Sequence, residues 1–154
     1  MTRRACTSGS IGKADIGALL MWKRLRADTP WAAELMALAD TDVRRATAAA
    51  ATAARDTTHS RCAGAQAGRT ALAHLPGFRT GDALASAILT AAASDRTAIY
   101  DRRAHSGPRT LGITLSHAPS RYIETIDQFL AAAPAPIRTW TPRNMDTALY
   151  WMTA

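Results

Sequence analysis

Leu75-Pro76-Gly77-Phe78-Arg79-Thr80-Gly81-Asp82, followed by Ala83-Leu84-Ala85-Ser86-Ala87-Ile88-Leu89, is the stretch that decides the fold. An apolar helical segment runs into Leu75, Pro76-Gly77 turns the chain, and a second helix is expected from about Thr80 or Gly81. A tight turn between two helices lets backbone amides approach a phosphate. The start of the second helix adds free N–H groups and the positive end of its dipole. Such contacts hold a duplex without reading its sequence. Pro76, Gly77, Phe78, Arg79, Thr80 and Gly81 are therefore candidate DNA-contacting residues. Read alone, the same turn simply joins two core helices.

Beyond the second helix, Ser94-Asp95-Arg96 breaks the pattern and Ile99-Tyr100 is briefly extended. Asp101 follows, and it suits the N-cap of a helix starting at Arg102 and ending before Gly107-Pro108. Arg102 and Arg103 suit phosphate contacts, a solvated helix edge, or an ion pair from one of them to Asp146.

Outward from this centre the chain reads as helices. A first helix is expected over Lys13 to Ala27, with Ile16, Leu19 and Leu20 on one stripe and Lys23 on that same stripe. Thr29-Pro30 opens a short helix to Leu38. Asp40-Thr41-Asp42 caps an alanine-rich helix to about Arg55, packed closely through its small residues. Another helix leads from Arg61 to His74. Leu111 to Pro119 reads as irregular, Ser120 caps a helix carrying Tyr122 to Leu130, and Ala131 to Pro136 reads as a linker. Thr141-Pro142 starts a terminal helix with Met145, Ala148, Leu149 and Met152 on its apolar face. The expectation is an all-α, single-domain helical bundle of about eight helices around one core, preceded by an arm at residues 1–12.

Lys23 is the most unusual residue. A lysine on an apolar stripe must snorkel, pair with an acid or point into a cavity. The expected arrangement pairs it with Asp101 or Asp146 beside a pocket lined by Trp22, Tyr100 and Trp151.

Net charge is +7 over 154 residues, which suits a polyanionic partner and equally aids solubility. Residues 1–77 hold 11 basic and 6 acidic residues, and residues 78–154 hold 8 and 6, so no basic tail stands out. Only Lys13 and Lys23 are lysines; the arginine excess favours phosphate forks and also follows from GC-rich coding. The two cysteines, Cys6 and Cys62, make no disulfide framework, and His59 with Cys62 falls short of the four ligands of a structural zinc. No metal site is expected. No window reaches the roughly 18 apolar residues of a membrane span. A cytoplasmic location with reduced thiols and no membrane partner is the expectation.

The turn at Leu75 to Gly77 together with Asp101, 24 residues beyond Gly77, resembles the helix-hairpin-helix element and following aspartate of the base-excision DNA glycosylase superfamily. Trp22-Lys23, Leu75 to Gly77, Ala85 to Leu89, Tyr100 to Ala104 and Arg143 to Trp151 occur in an order similar to that of a group of uncharacterised bacterial helix-hairpin-helix proteins related to those enzymes. The similarity spans most of residues 13–153. The family turn reads Leu-Pro-Gly-x-Gly; here Arg79 stands at the second glycine, and Gly81 comes two residues later.

The resemblance implies duplex DNA as partner. It also implies that Asp101 stabilises a cationic sugar or activates a water once a base has been extruded. Bifunctional members use a lysine early in the second hairpin helix to form a Schiff base. No lysine follows Lys23, so that position is empty. Nor can two cysteines hold the four-cysteine iron–sulfur cluster of other members, so no cofactor is expected.

Three readings follow. The first is a DNA-binding protein acting as a monofunctional, glycosylase-like base-excision hydrolase centred on Asp101 and Lys23. The second is a duplex DNA-binding module without catalysis. The third is a structural or interaction protein that has lost DNA binding.

Overall fold

The computed structural model describes residues 7–23, 29–101, 104, 106–115 and 119–152. Nine helices lie wholly within these residues, which contain no strand. They are α1 (Lys13–Trp22), α2 (Pro30–Ala37), α3 (Asp40–Arg55), α4 (Arg61–Leu72), α5 (Asp82–Ala92), α6 (Ser106–Thr110), α7 (Pro119–Ala132), α8 (Ala135–Arg138) and α9 (Pro142–Trp151). The protein is all-α. No described helix is long and apolar enough to cross a membrane.

Helix α5 is the axis of the fold: every residue from Leu84 to Ala92 is buried. Its alanines let neighbours approach on all sides. Helices α3 and α4 pack through equally small residues. Ala46, Ala50, Ala51 and Ala54 are buried on α3, and a Cβ placed on Gly64 or Gly68 of α4 would stand 3.0 Å from the Ala53 or Ala50 carbonyl oxygen. Glycine inside a helix costs roughly 0.5–1 kcal/mol against alanine. Here it makes room for the contact.

The buried apolar residues form two clusters where one core was expected. The larger joins α1, α2, α3, the 75–78 turn and α5. The smaller gathers Ala98, Tyr100 and Ala104 with Tyr122, Ile123 and Ile126 of α7 and Met145 and Leu149 of α9. The break in periodicity after α5 is where the chain passes from one to the other.

The turn between α4 and α5 is built by its glycines. Phe78 N–H donates to the Leu75 carbonyl at 3.1 Å, and Gly77 has φ +84° behind Pro76, which defines a type II turn. A Cβ on Gly77 would overlap the Trp31 ring, and one on Gly81 would overlap the Gly77 carbonyl. Phe78 turns inward and is fully buried. Helix α5 starts at Asp82, slightly later than expected, where Arg69 Nε of α4 donates to the Asp82 carboxylate at 2.7 Å.

Several boundaries differ from expectation. Helix α1 ends at Trp22, Lys23 sits in the turn after it, and residues 24–28 lie outside the described set. Asp40 is the first residue of α3, not its cap; its carboxylate accepts from Lys13 N–H at 2.8 Å and so caps α1 instead. Gly107-Pro108 falls inside α6, and residues 102, 103 and 105 of the helix expected before it lie outside the described residues. Proline fits in α6 because first-turn N–H groups need no helical partner. The expected linker at 131–136 is the end of α7 and the start of α8. Thr141 caps α9 as read, in a reciprocal box with Asn144. Residues 1–6 of the expected arm lie outside the described residues; within the rest, Ile11 is buried in the larger cluster and its N–H donates to Thr47 Oγ1 at 3.0 Å.

Candidate functional site

A cleft of about 720 Å3 opens between the end of α1, the 99–104 segment, α7 and α9. Trp22 and Lys23 form one side, Asp101 another, and Arg143, Asp146, Tyr150 and Trp151 a third. Ala104 and Tyr122 of the smaller cluster line the cleft wall, and residues from both ends of the described chain face one space. The volume lies within the ~300–1,000 Å3 range usual for small-molecule sites.

Lys23 Nζ donates to Asp101 Oδ2 at 3.0 Å. Their side chains are 7% and 35% exposed respectively, so a nearly buried ammonium meets a carboxylate that still faces the cleft. Ala104 N–H donates to Asp101 Oδ1 at 3.3 Å. The capping role and the cleft-facing role therefore coexist in one carboxylate. Of the two acids considered for Lys23, Asp101 is the one it meets.

Asp146 has a different environment. It is buried, and Tyr122 Oη donates to its Oδ1 at 2.6 Å. Arg143 Nη1 pairs with Oδ2 one helical turn away. Burial pushes the Asp146 carboxyl up from its usual value, against the pull of the Tyr122 and Arg143 hydrogen bonds. Burial and then the Asp146 charge push the Tyr122 phenol up as well, so it remains a neutral donor.

The segment carrying Asp101 is held by α5: Ser86 Oγ accepts from Tyr100 N–H at 2.9 Å and lies 3.2 Å from the Tyr100 carbonyl, to which it can donate. Asp101 thus projects from a clamped backbone. Preorganisation of this kind keeps a functional carboxylate in one geometry.

Trp22 and Trp151 stand at the mouth, 62% and 70% exposed, and Tyr150 packs edge-on against Trp151 with ring centroids 5.5 Å apart. Exposed tryptophans lining one cleft suit stacking against a planar ring. Tyr100, expected beside this pocket, instead lines a second cavity behind the segment and packs against Tyr122, with ring centroids 5.9 Å apart.

Of the candidate DNA-contacting residues, Arg79 and Thr80 are exposed, while Pro76, Gly77 and Gly81 are half-buried. Phe78 is buried in the first cluster and cannot touch a partner from there. Arg102 and Arg103 lie outside the described residues. Among the described residues Arg143 meets Asp146, a pair its three-residue helical spacing could have suggested. Ser86 and Tyr122 had no such signal. Among the described residues, no group of His, Cys, Asp and Glu is arranged to hold a metal, and His59 pairs with Asp56 at 2.8 Å.

Comparison with protein-family models, curated proteins and solved structures gives no match to this chain.

Proposed function

We propose that this is a helix-hairpin-helix-type DNA-binding protein that removes a base by glycosylase-like hydrolysis, with the 720 Å3 cleft receiving the extruded base. The observation that carries the reading is Asp101, whose cleft-facing carboxylate is fixed by Lys23 at 3.0 Å between two exposed tryptophans. In the proposed step the C1′–N bond breaks and its electron pair leaves with the base. Asp101 faces the positive charge that develops on the sugar, and water adds at C1′, its proton passing to the departing base. Lys23 orients that carboxylate. Trp22 and Trp151 stack on the base and offset part of the unstacking cost, a few kcal/mol. Arg79 and the turn amides hold the duplex backbone.

One observation favours the reading without catalysis. Asp101 also caps the backbone at Ala104, so a structural role alone accounts for an aspartate there. Binding to labelled duplexes at two salt concentrations, one intact and one carrying an abasic-site analogue, tests the DNA reading. Tighter binding to the analogue that weakens steeply with salt is expected. Absence of binding to either duplex at low salt would overturn it and favour the third reading, an interaction protein without DNA.

A further inference from the structure

A second cavity, of about 310 Å3, lies behind the segment that carries Asp101. Its walls come from α4, α5, residues 97–100 and the start of α7. Neighbouring residues of the extended segment divide between the two spaces: Ala98 and Tyr100 line this cavity, Ile99 and Asp101 the cleft. A molecule in the cavity therefore presses on the backbone that positions Asp101.

The lining indicates what fits. Ala85, Leu89, Ala98 and Ile123 are all buried and give it an apolar floor. Among the described residues of the lining the only charges are Arg69 and Asp82, which are paired with each other. The buried hydroxyls are engaged with backbone: Ser86 with Tyr100, and Thr97 with the Ala93 carbonyl at 2.9 Å. An ion entering would have to break the Arg69–Asp82 pair to gain a counter-charge, whereas an apolar body gains by leaving water. The volume sits at the lower edge of small-molecule sites, which sets a single ring as the scale. Gly68 preserves the shape: a Cβ there would stand 2.6 Å from Leu89 Cδ2, so only glycine leaves Leu89 its place in the wall.

We propose that this cavity is a second binding site, for a compact uncharged ligand of monocyclic size, and that its occupancy displaces the segment bearing Asp101. The proposal is independent of the base-excision reading. Coupling of this kind is reciprocal, so a change at Asp101 alters affinity in the cavity.

The full chain is titrated with phenol, and separately with benzoate as a charged probe of similar size, while backbone amide NMR signals are followed. Phenol is expected to give saturable shifts at Leu89 and at Ala98 to Asp101, with benzoate at least tenfold weaker. Gln66 is exposed at the cavity wall, so Gln66→Trp closes the mouth without touching the core; Ala65→Leu fills the space from α4. Each variant is expected to weaken phenol at least tenfold. No saturable phenol shift, or unchanged affinity in a folded variant of either kind, would overturn the site. Equal benzoate binding would overturn the ligand class. Shifts that stop at Tyr100 and leave Asp101 unmoved would overturn the coupling.

Discussion

Lys23 and Asp101 are 78 residues apart in the chain, yet they form a 3.0 Å ion pair in the wall of the cleft. The two partners are unequally exposed, with Lys23 nearly buried and Asp101 facing the opening. Removing the acid strands the buried cation. Asp101→Ala is therefore expected to lower stability by roughly 1–3 kcal/mol, and Asp101→Asn by less, because an amide oxygen still accepts from Lys23. Denaturant unfolding of both variants measures the difference. Equal stability of Asp101→Ala and the parent would mean that the pair does not hold the cleft together.

Gly77 and Arg79 separate the structural from the binding role of the turn. Gly77→Ala meets both a φ of +84° and the Trp31 ring, and roughly 1–3 kcal/mol of stability is expected to be lost. Arg79 is exposed, so Arg79→Ala should unfold like the parent. If Arg79 meets a phosphate, the same substitution flattens the logarithmic salt dependence of duplex binding by about 1. Thermal unfolding and binding at several salt concentrations read the two effects.

Ser86 is a positioning residue for Asp101 through the Tyr100 backbone. Ser86→Ala is expected to cost about 1–2 kcal/mol, from an unpaired buried N–H. On the proposed function it also slows base release while duplex affinity is kept. Faster amide exchange at Tyr100 would mark the loosened segment. A loss of duplex affinity equal to the loss of release would contradict the positioning role.

These examples show how much the sequence made legible. Lys23 could be read because an ammonium on an apolar stripe demands a counter-ion, and only a few acids lay in plausible places. The Pro76-Gly77 turn and the Thr141 cap are local signals and appear where their chemistry puts them. The clamp by Ser86 and the Tyr122–Asp146 bond join residues 14 and 24 apart across packed helices, and no local pattern records such contacts. Phe78 reads as part of a surface turn, but the type II geometry swings its ring into the core. Tyr100 lies on the other side of the extended segment from the one expected, because alternation fixes neighbours relative to one another, not which face is which. Pro108 reads as a helix stop, and its place in a first turn depends on a helix start that no capping signal announces.

Two acids carry opposite pH signatures. Asp40 is held below its usual value by the Lys13 N–H and then by Arg44. Its contribution is complete above the ordinary aspartate range and lost as pH falls through its lowered value. Asp146 is raised by burial, so its ionised form costs stability at neutral pH, and that cost is relieved as pH falls through its raised value. Unfolding measured between pH 7 and pH 3 should show Asp40→Asn losing part of the acid-induced destabilisation. Asp146→Asn should lose ground to the parent as pH falls towards the ordinary aspartate value. A constant gap between Asp146→Asn and the parent across that range would contradict the burial argument.

Release of free base from duplexes carrying a panel of damaged bases, with the parent chain and Asp101→Asn compared at matched duplex binding, tests whether Asp101 carries base excision. The parent is expected to release at least one base. Asp101→Asn is expected to bind the same duplex within about twofold while losing at least about a hundredfold in release, within the range of a positioned acid–base group. Release unchanged in Asp101→Asn would remove Asp101 from the chemistry, and duplex binding without release from any substrate would contradict the base-excision reading.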